Sequence, residues 1–111
     1  MNEDEKWMEL ALNEAFLAQS EGEVPVGAVL VKGGKLIATA HNQPIAKHDA
    51  TAHAEIQLLR AAGKNLQNYR LTQSTLYVTL EPCTMCFGAM VHARIERIVF
   101  AAYDSKTGVC G

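Results

Sequence analysis

Two short clusters in the chain carry residue types that can do chemistry: His53-Ala54-Glu55 and Glu81-Pro82-Cys83-Thr84-Met85-Cys86. Cysteines three residues apart near a helix start lie on one face, close enough to bind one ion. A helix N-terminus also favours thiolates, because its free N–H groups and dipole attract negative charge. A second helix start can bring His53 to the same point, which makes His53, Cys83 and Cys86 the candidate zinc ligands. Three protein ligands leave one tetrahedral position for water, the pattern of catalytic zinc, whereas structural zinc normally has four protein ligands. Zinc lowers the pKa of bound water from roughly 16 to roughly 7, and two thiolates soften that effect by donating charge to the metal. A nearby base is then useful. Glu55, two residues from His53, is placed to take the water's proton and pass it to a leaving group.

Each piece taken alone has a plainer reading. A Cys-x-x-Cys pair also serves redox and structural zinc sites, a histidine often starts a helix, and a glutamate is usually solvated. A thioredoxin-type redox site fits poorly, because Pro82 precedes the first cysteine and Thr84-Met85 lie between the two. The combination at two helix starts is what points to catalysis. A fourth protein ligand would turn the site into a structural zinc or RNA-binding module without activity. Cys110 is the candidate for that role, but it follows the last expected strand beside glycines and reads as a free thiol. His41, His48 and His92 stand apart from the two clusters.

The elements that position these clusters can be read from pattern. Asn2 can cap a first helix with Glu5 as its reciprocal partner, and Trp7, Met8, Ala11, Leu12, Ala15 and Phe16 recur at helical spacing as a core-facing stripe, with Gly22 as the stop. Pro25 to Val31 and Leu36 to Ala40 flank Gly33-Gly34 and read as a β-hairpin. Asn42 to Asp49 reads as a loop. Thr51 can cap a second helix over 52–62, with Gly63 behind it. Thr75 to Leu80 reads as a strand, Pro82 as the first turn of a third helix over 83–93, and Glu96 to Ala101 as a last strand. Two strand-helix-strand crossovers and one hairpin imply a mixed sheet with helices packed on it.

Composition bounds the rest. At 111 residues, 49% hydrophobic and 20% charged, the chain reads as one soluble globular domain over 1–111. Its core must be thin, so zinc or a partner subunit would matter to stability. A net charge of −2 supplies no basic field for nucleic acid, and any RNA contact must be local. The acidic start Met1-Asn2-Glu3-Asp4-Glu5 lacks the basic n-region and apolar run of a secretory signal. No apolar stretch reaches membrane-spanning length, so a soluble, cytoplasmic protein is expected. Three cysteines suit metal chemistry in a reducing compartment better than a disulfide framework.

His-x-Glu followed by Pro-Cys-x-x-Cys is the signature of the zinc nucleobase deaminases. The wider chain resembles the tRNA-specific adenosine deaminase (TadA) family through Glu23-Val24-Pro25-Val26-Gly27-Ala28-Val29, His41-Asn42-Gln43-Pro44, Thr51-Ala52-His53-Ala54-Glu55 and Asn68-Tyr69-Arg70-Leu71. The match continues through Thr75-Leu76-Tyr77-Val78-Thr79-Leu80-Glu81-Pro82-Cys83 and Asp104-Ser105-Lys106-Thr107-Gly108, so it covers nearly the whole chain.

The resemblance implies a three-layer α/β/α cytidine deaminase-like fold with a mixed β-sheet. It implies one Zn2+ per subunit on His53, Cys83 and Cys86, with Glu55 as the catalytic proton shuttle. The Ala54 N–H would help to bind the attacking oxygen, Asn42 would contact the base and Val26 would pack on its face. Asp104 and Lys106 would lie near RNA sugar and phosphate. Plainer roles exist here too: Asn42 suits a loop, Val26 suits a core, and Lys106 suits solvent. The implied reaction is hydrolytic deamination of adenosine to inosine at the wobble position of a tRNA anticodon loop, by a homodimer, with the base splayed out of its stack. Family members usually continue with a further strand and C-terminal helices, so the resemblance also implies a fold truncated at the C-terminus. A deaminase of a free base or nucleotide, such as guanine or cytosine, would share the zinc machinery. The Asn68-to-Leu71 and Asp104-to-Gly108 matches favour tRNA.

Overall fold

In a computed structural model, which describes residues 1–102, the first helix α1 (Glu3–Ser20) starts where its capping signal stands. The Asn2 side chain accepts from the Glu5 N–H at 2.8 Å, and the Glu5 carboxylate accepts from the Asn2 N–H at 3.4 Å. Trp7, Ala11, Ala15 and Ala18 are buried, whereas Leu12 and Phe16 are 41% and 62% exposed. The expected stripe is therefore narrower than its apolar pattern. Positions 7, 11, 15 and 18 follow one line along the helix, and Leu12 and Phe16 stand on its flank. Alanines on that line let the helix come close to the sheet. A Cβ on Gly27 would lie 2.1 Å from the Ala11 carbonyl oxygen and 2.4 Å from the Ala15 nitrogen, so only glycine fits beneath α1 there.

Strands β1 (Gly27–Lys32) and β2 (Lys35–His41) form the expected hairpin, turning through Gly33 and Gly34 at φ 59° and 75°. Pro25 and Val26 precede the strand and do not open it; a proline has no N–H to give the ladder. The segment expected to be a loop contains one helical turn, α2 (Pro44–Lys47). Its Ile45 and Ala46 N–H groups donate to the Glu23 carboxylate at 3.2 and 2.8 Å.

Helix α3 (Ala54–Leu66) is capped by His53 and not by Thr51, and it runs through Gly63 to a left-handed Gln67. The Thr51 hydroxyl and N–H instead donate to Asp49 at 2.7 and 2.8 Å, which closes a tight turn ahead of the helix. Strand β3 (Ser74–Val78) ends two residues earlier than expected. Helix α4 (Thr84–Ala93) has Cys83 as its cap, so Pro82 lies just outside. Strand β4 (Arg97–Phe100) completes the described elements.

The sheet order is β2-β1-β3-β4. β1 runs antiparallel to β2 and β3, and β3 pairs parallel with β4. The sheet is mixed as expected. Of the two crossovers, only the one through α4 joins adjacent strands, because β1 lies between β2 and β3.

Strand alternation sends residues to two cores. Val29, Val31 and Tyr77 pack with Trp7 and Ala11 of α1. Ala28, Leu30, Leu76 and Val78 pack with Leu58 of α3 and with Cys86 and Met90 of α4. The result is the three-layer α/β/α arrangement, with the starts of α3 and α4 on the same side of the sheet. At the opposite end, Arg97 donates to Asp4 at 2.8 and 2.5 Å and the Tyr77 hydroxyl donates to it at 2.7 Å, which ties α1 across the sheet to β4. Arg97 and then Tyr77 hold the Asp4 carboxyl down at about 2, and burial with the Asp4 contact pushes Tyr77 up to about 12. No helix among the described residues is long and apolar enough to cross a membrane.

Candidate active site

His53 and Cys83 occupy equivalent positions, each the extended residue immediately before a helix, and neither side chain bonds its own helix. Both are therefore turned to a common point. Cys86 lies in the first turn of α4 and is buried. His53 Nδ1 lies 3.6 Å from Cys83 Sγ and 3.5 Å from Cys86 Sγ. The three ligand atoms lie within 4.8 Å of one another, the one such cluster among the described residues.

The donor set fits zinc. A tetrahedral ion with bonds of about 2.3 Å to sulfur and about 2.0 Å to nitrogen sets those atoms about 3.5 Å apart, which is the nitrogen–sulfur spacing found here. Burial, followed by Glu55 and Cys83, pushes the Cys86 thiol far above its ordinary range. Burial likewise raises Glu55, which stands in the first turn of α3 with only 4% of its surface exposed. A divalent cation among these groups reverses both tendencies, because it favours the charged forms.

Asn42 approaches from the loop after β2. Its Oδ1 accepts the Ala54 N–H at 2.7 Å and so satisfies a donor at the start of α3 that His53 leaves open. The Ala54 N–H expected to meet the attacking oxygen is thus engaged by Asn42, and Ala54 itself is fully buried. Val26, Asn42, His53, Glu55 and Cys83 line one cavity of about 220 Å³ together with Val24, Leu80 and Glu81. Those last three escaped the sequence reading. Glu81 carried the clearest signal, a carboxylate directly before Pro82-Cys83, and it is buried. A larger hollow of about 1130 Å³ between α3 and α4, beside Leu59, Tyr69 and Ala89, contains none of these residues.

The structure therefore brings together His53, Glu55, Cys83, Cys86, Asn42 and Val26. His48 and His92 are exposed elsewhere, and His41 is bonded to Glu14 and Glu21. Asp104, Lys106 and Cys110 lie outside the described residues.

The family model for the cytidine and deoxycytidylate deaminase zinc-binding region matches residues 1–102. A curated relative from Haemophilus influenzae, named tRNA-specific adenosine deaminase, is 58% identical over 109 residues, 97% of this chain and 63% of that protein. The chain thus spans less than two thirds of that relative's length. A solved structure from work on A-to-I editing by tRNA:A34 deaminases at the wobble position superposes with a TM-score of 0.91 at 50% identity, over 93% of this chain and 75% of that one. A guanine deaminase from Bacillus subtilis superposes with a TM-score of 0.88 at 39% identity, over 93% of this chain and 66% of that one. With nine-tenths of its length matched by that model, the chain belongs to the cytidine and deoxycytidylate deaminase zinc-binding family.

Proposed function

We propose that residues 1–111 act as one zinc-dependent deaminase domain that converts adenosine to inosine, by hydrolysis, at the wobble position of a tRNA anticodon. The observation that carries this reading is the placement of Glu55, a buried carboxylate in the same small cavity as His53 and Cys83. A structural zinc site has no use for such a group. The 58% identity to a tRNA-specific adenosine deaminase supports adenosine in tRNA as the substrate.

When bound by His53, Cys83 and Cys86, zinc supplies Lewis-acid activation of water near neutral pH. Glu55 accepts the proton that the water loses and delivers it to N1 of adenine. Once the water oxygen is bonded to C6, Glu55 takes the second proton from that hydroxyl and hands it to the C6 amino group; the C6–N bond breaks, the C6 carbonyl forms and ammonia leaves, so adenosine and water become inosine and ammonia. The near-complete burial of Glu55 keeps each proton that it accepts inside the cavity until it is delivered. Asn42 contacts the base, and Val26 packs against the ring face. Ala54 acts through the N–H that fixes Asn42, and it would meet the attacking oxygen directly only if Asn42 released it. Asp104 and Lys106 contact sugar and phosphate. The enzyme works as a homodimer in the cytoplasm, and its target base, being in a loop, splays out at lower cost than a paired one.

The test is incubation of the zinc-loaded chain with an anticodon stem-loop carrying adenosine at the wobble position, with inosine as the readout. Inosine in the stem-loop and no change in free bases supports the reading. Xanthine from free guanine would instead support the second reading, which the likeness to the Bacillus subtilis guanine deaminase favours. An inert protein whose metal shows four protein donors by X-ray absorption would establish a structural module.

A further inference from the structure

His41 closes β2 one residue before Asn42, and strand alternation turns the two side chains to opposite faces of the sheet. Asn42 faces α3 and the cavity. His41 faces α1, where its Nδ1 lies 3.1 Å from a Glu14 oxygen and its Nε2 lies 2.9 Å from a Glu21 oxygen. A neutral imidazole has one N–H, so it can satisfy only one of two carboxylates and turns a lone pair to the other. Only the imidazolium donates to both.

The close approach of α1 at Gly27 makes this arrangement possible, since Gly27 is the residue paired with His41 across the hairpin. The remaining bonds around His41 lead to the site. Its carbonyl oxygen accepts from Gln57 of α3 at 3.1 Å, and the same amide donates to Gln43 at 2.9 Å. The Asn42 N–H donates to the Val26 carbonyl at 3.0 Å, and the Asn42 side chain holds the Ala54 N–H.

We infer that His41 is a positioning residue: held as an imidazolium between Glu14 and Glu21, it fixes the end of β2 and hence the Asn42 side chain that meets the substrate base. The part of this that concerns substrate rests on the function proposed above. The charged groups facing His41 are Glu14 of α1, Glu21 directly after that helix and, across a polar cavity, Lys47 of α2, whose Nζ donates to Gln57 at 2.6 Å. Burial opposes the charge on His41, but Glu14 and then Glu21 outweigh it and raise its pKa above the ordinary value. A group raised in the fold contributes below its unfolded pKa and loses that contribution as pH rises through the folded one. The brace is therefore made on the acid side and released on the basic side.

Nuclear magnetic resonance of the zinc-loaded protein tests the brace without substrate. The Ala54 amide should move with the midpoint of the His41 ring. In the Glu14→Gln, Glu21→Gln double variant both midpoints should fall together, which separates this effect from titration of Glu55. An Ala54 resonance whose midpoint stays put when that of His41 shifts overturns the inference. In the stem-loop assay, His41→Gln should raise KM by about tenfold, the size of one loosened hydrogen bond, with kcat within about twofold. The rise of wild-type KM with pH should be absent from the variant. A variant with the wild-type KM profile also overturns the inference, and a variant that does not fold passes the kinetic test to the double variant. Wild-type protein without turnover on RNA would count against the proposed function, and the resonance experiment would still decide the brace.

Discussion

His53 Nδ1 sits 3.5 Å from Cys86 Sγ, although the two residues are 33 positions apart and belong to different helices. Two helix starts, α3 and α4, meet on one side of the sheet, and each contributes the residue before its first turn. Among the described residues no lysine or arginine side chain bonds His53, Cys83 or Cys86, so the ion itself must supply the positive charge that thiolates need. Removal of zinc should therefore cost stability as well as activity. An ion present at about a hundred times its dissociation constant stabilises by about 2.7 kcal/mol. For a domain of this size that is roughly 10–20 °C in Tm. Calorimetry with and without a chelator measures it, and Cys86→Ser should abolish the difference. A Tm indifferent to chelation would contradict a metal site here.

Glu55→Gln keeps the size of a side chain that is almost wholly buried and removes its ability to accept a proton. Zinc content should match the wild type. Turnover should fall by about 10²–10⁴, the usual contribution of a general acid–base group. The variant should also be slightly more stable than the wild type, because a buried carboxyl is costlier than a buried amide. Metal analysis, steady-state kinetics and urea unfolding separate the three effects. Near-normal turnover in a zinc-replete variant would remove Glu55 from the mechanism.

What could be read from the residues alone was whatever local rules decide. Asn2 and Glu5 sit three apart and form their capping box, and Gly33-Gly34 turn the hairpin as their freedom at positive φ allows. The site was legible for a related reason: its ligands stand at helix starts, where spacing along the chain becomes spacing in space. What local rules did not decide was set by distant partners. α2 is held by Glu23, 22 residues before Ile45, and no pattern within Asn42 to Asp49 announces that contact. Thr51 is a good cap by type, yet Asp49 takes its hydroxyl and the cap falls two residues later, at His53. The resemblance implies a role for the Ala54 N–H toward an incoming oxygen, and nothing in the local sequence announces that Asn42, twelve residues away, accepts that N–H.

Gly27→Ala tests how tightly α1 is seated. The new Cβ would overlap backbone atoms of Ala11 and Ala15 and the Glu14 Cβ, none of which can rotate away. α1 must lift from the sheet. Overpacking of this kind costs about 1–3 kcal/mol, and a backbone clash belongs at or above the top of that range. Because Glu14 and Glu21 travel with α1, the His41 contacts should loosen in the same variant. Urea unfolding gives the first quantity and the His41 ring titration the second. A variant as stable as the wild type would mean that α1 is not held at this depth.

Asp4 gives the fold a definite response to acid. Its carboxyl is held at about 2, chiefly by Arg97 and then by Tyr77, against an ordinary value of 3.8. A carboxylate depressed in the folded state binds fewer protons there than in the unfolded chain. Its contribution is therefore complete above about 3.8 and disappears as pH falls through about 2. Because this contact ties the first turn of α1 to β4, its loss should release the N-terminal end of the helix before the zinc side of the sheet unfolds. Asp4→Asn should lower Tm at pH 6, and its deficit should shrink as the pH is taken from 4 towards 2, where the wild type loses the same contact. Arg97→Gln should behave alike, since it removes the cation that sets the carboxyl low. A deficit that stayed constant across that interval would show that Asp4 acts through packing and not through its charge.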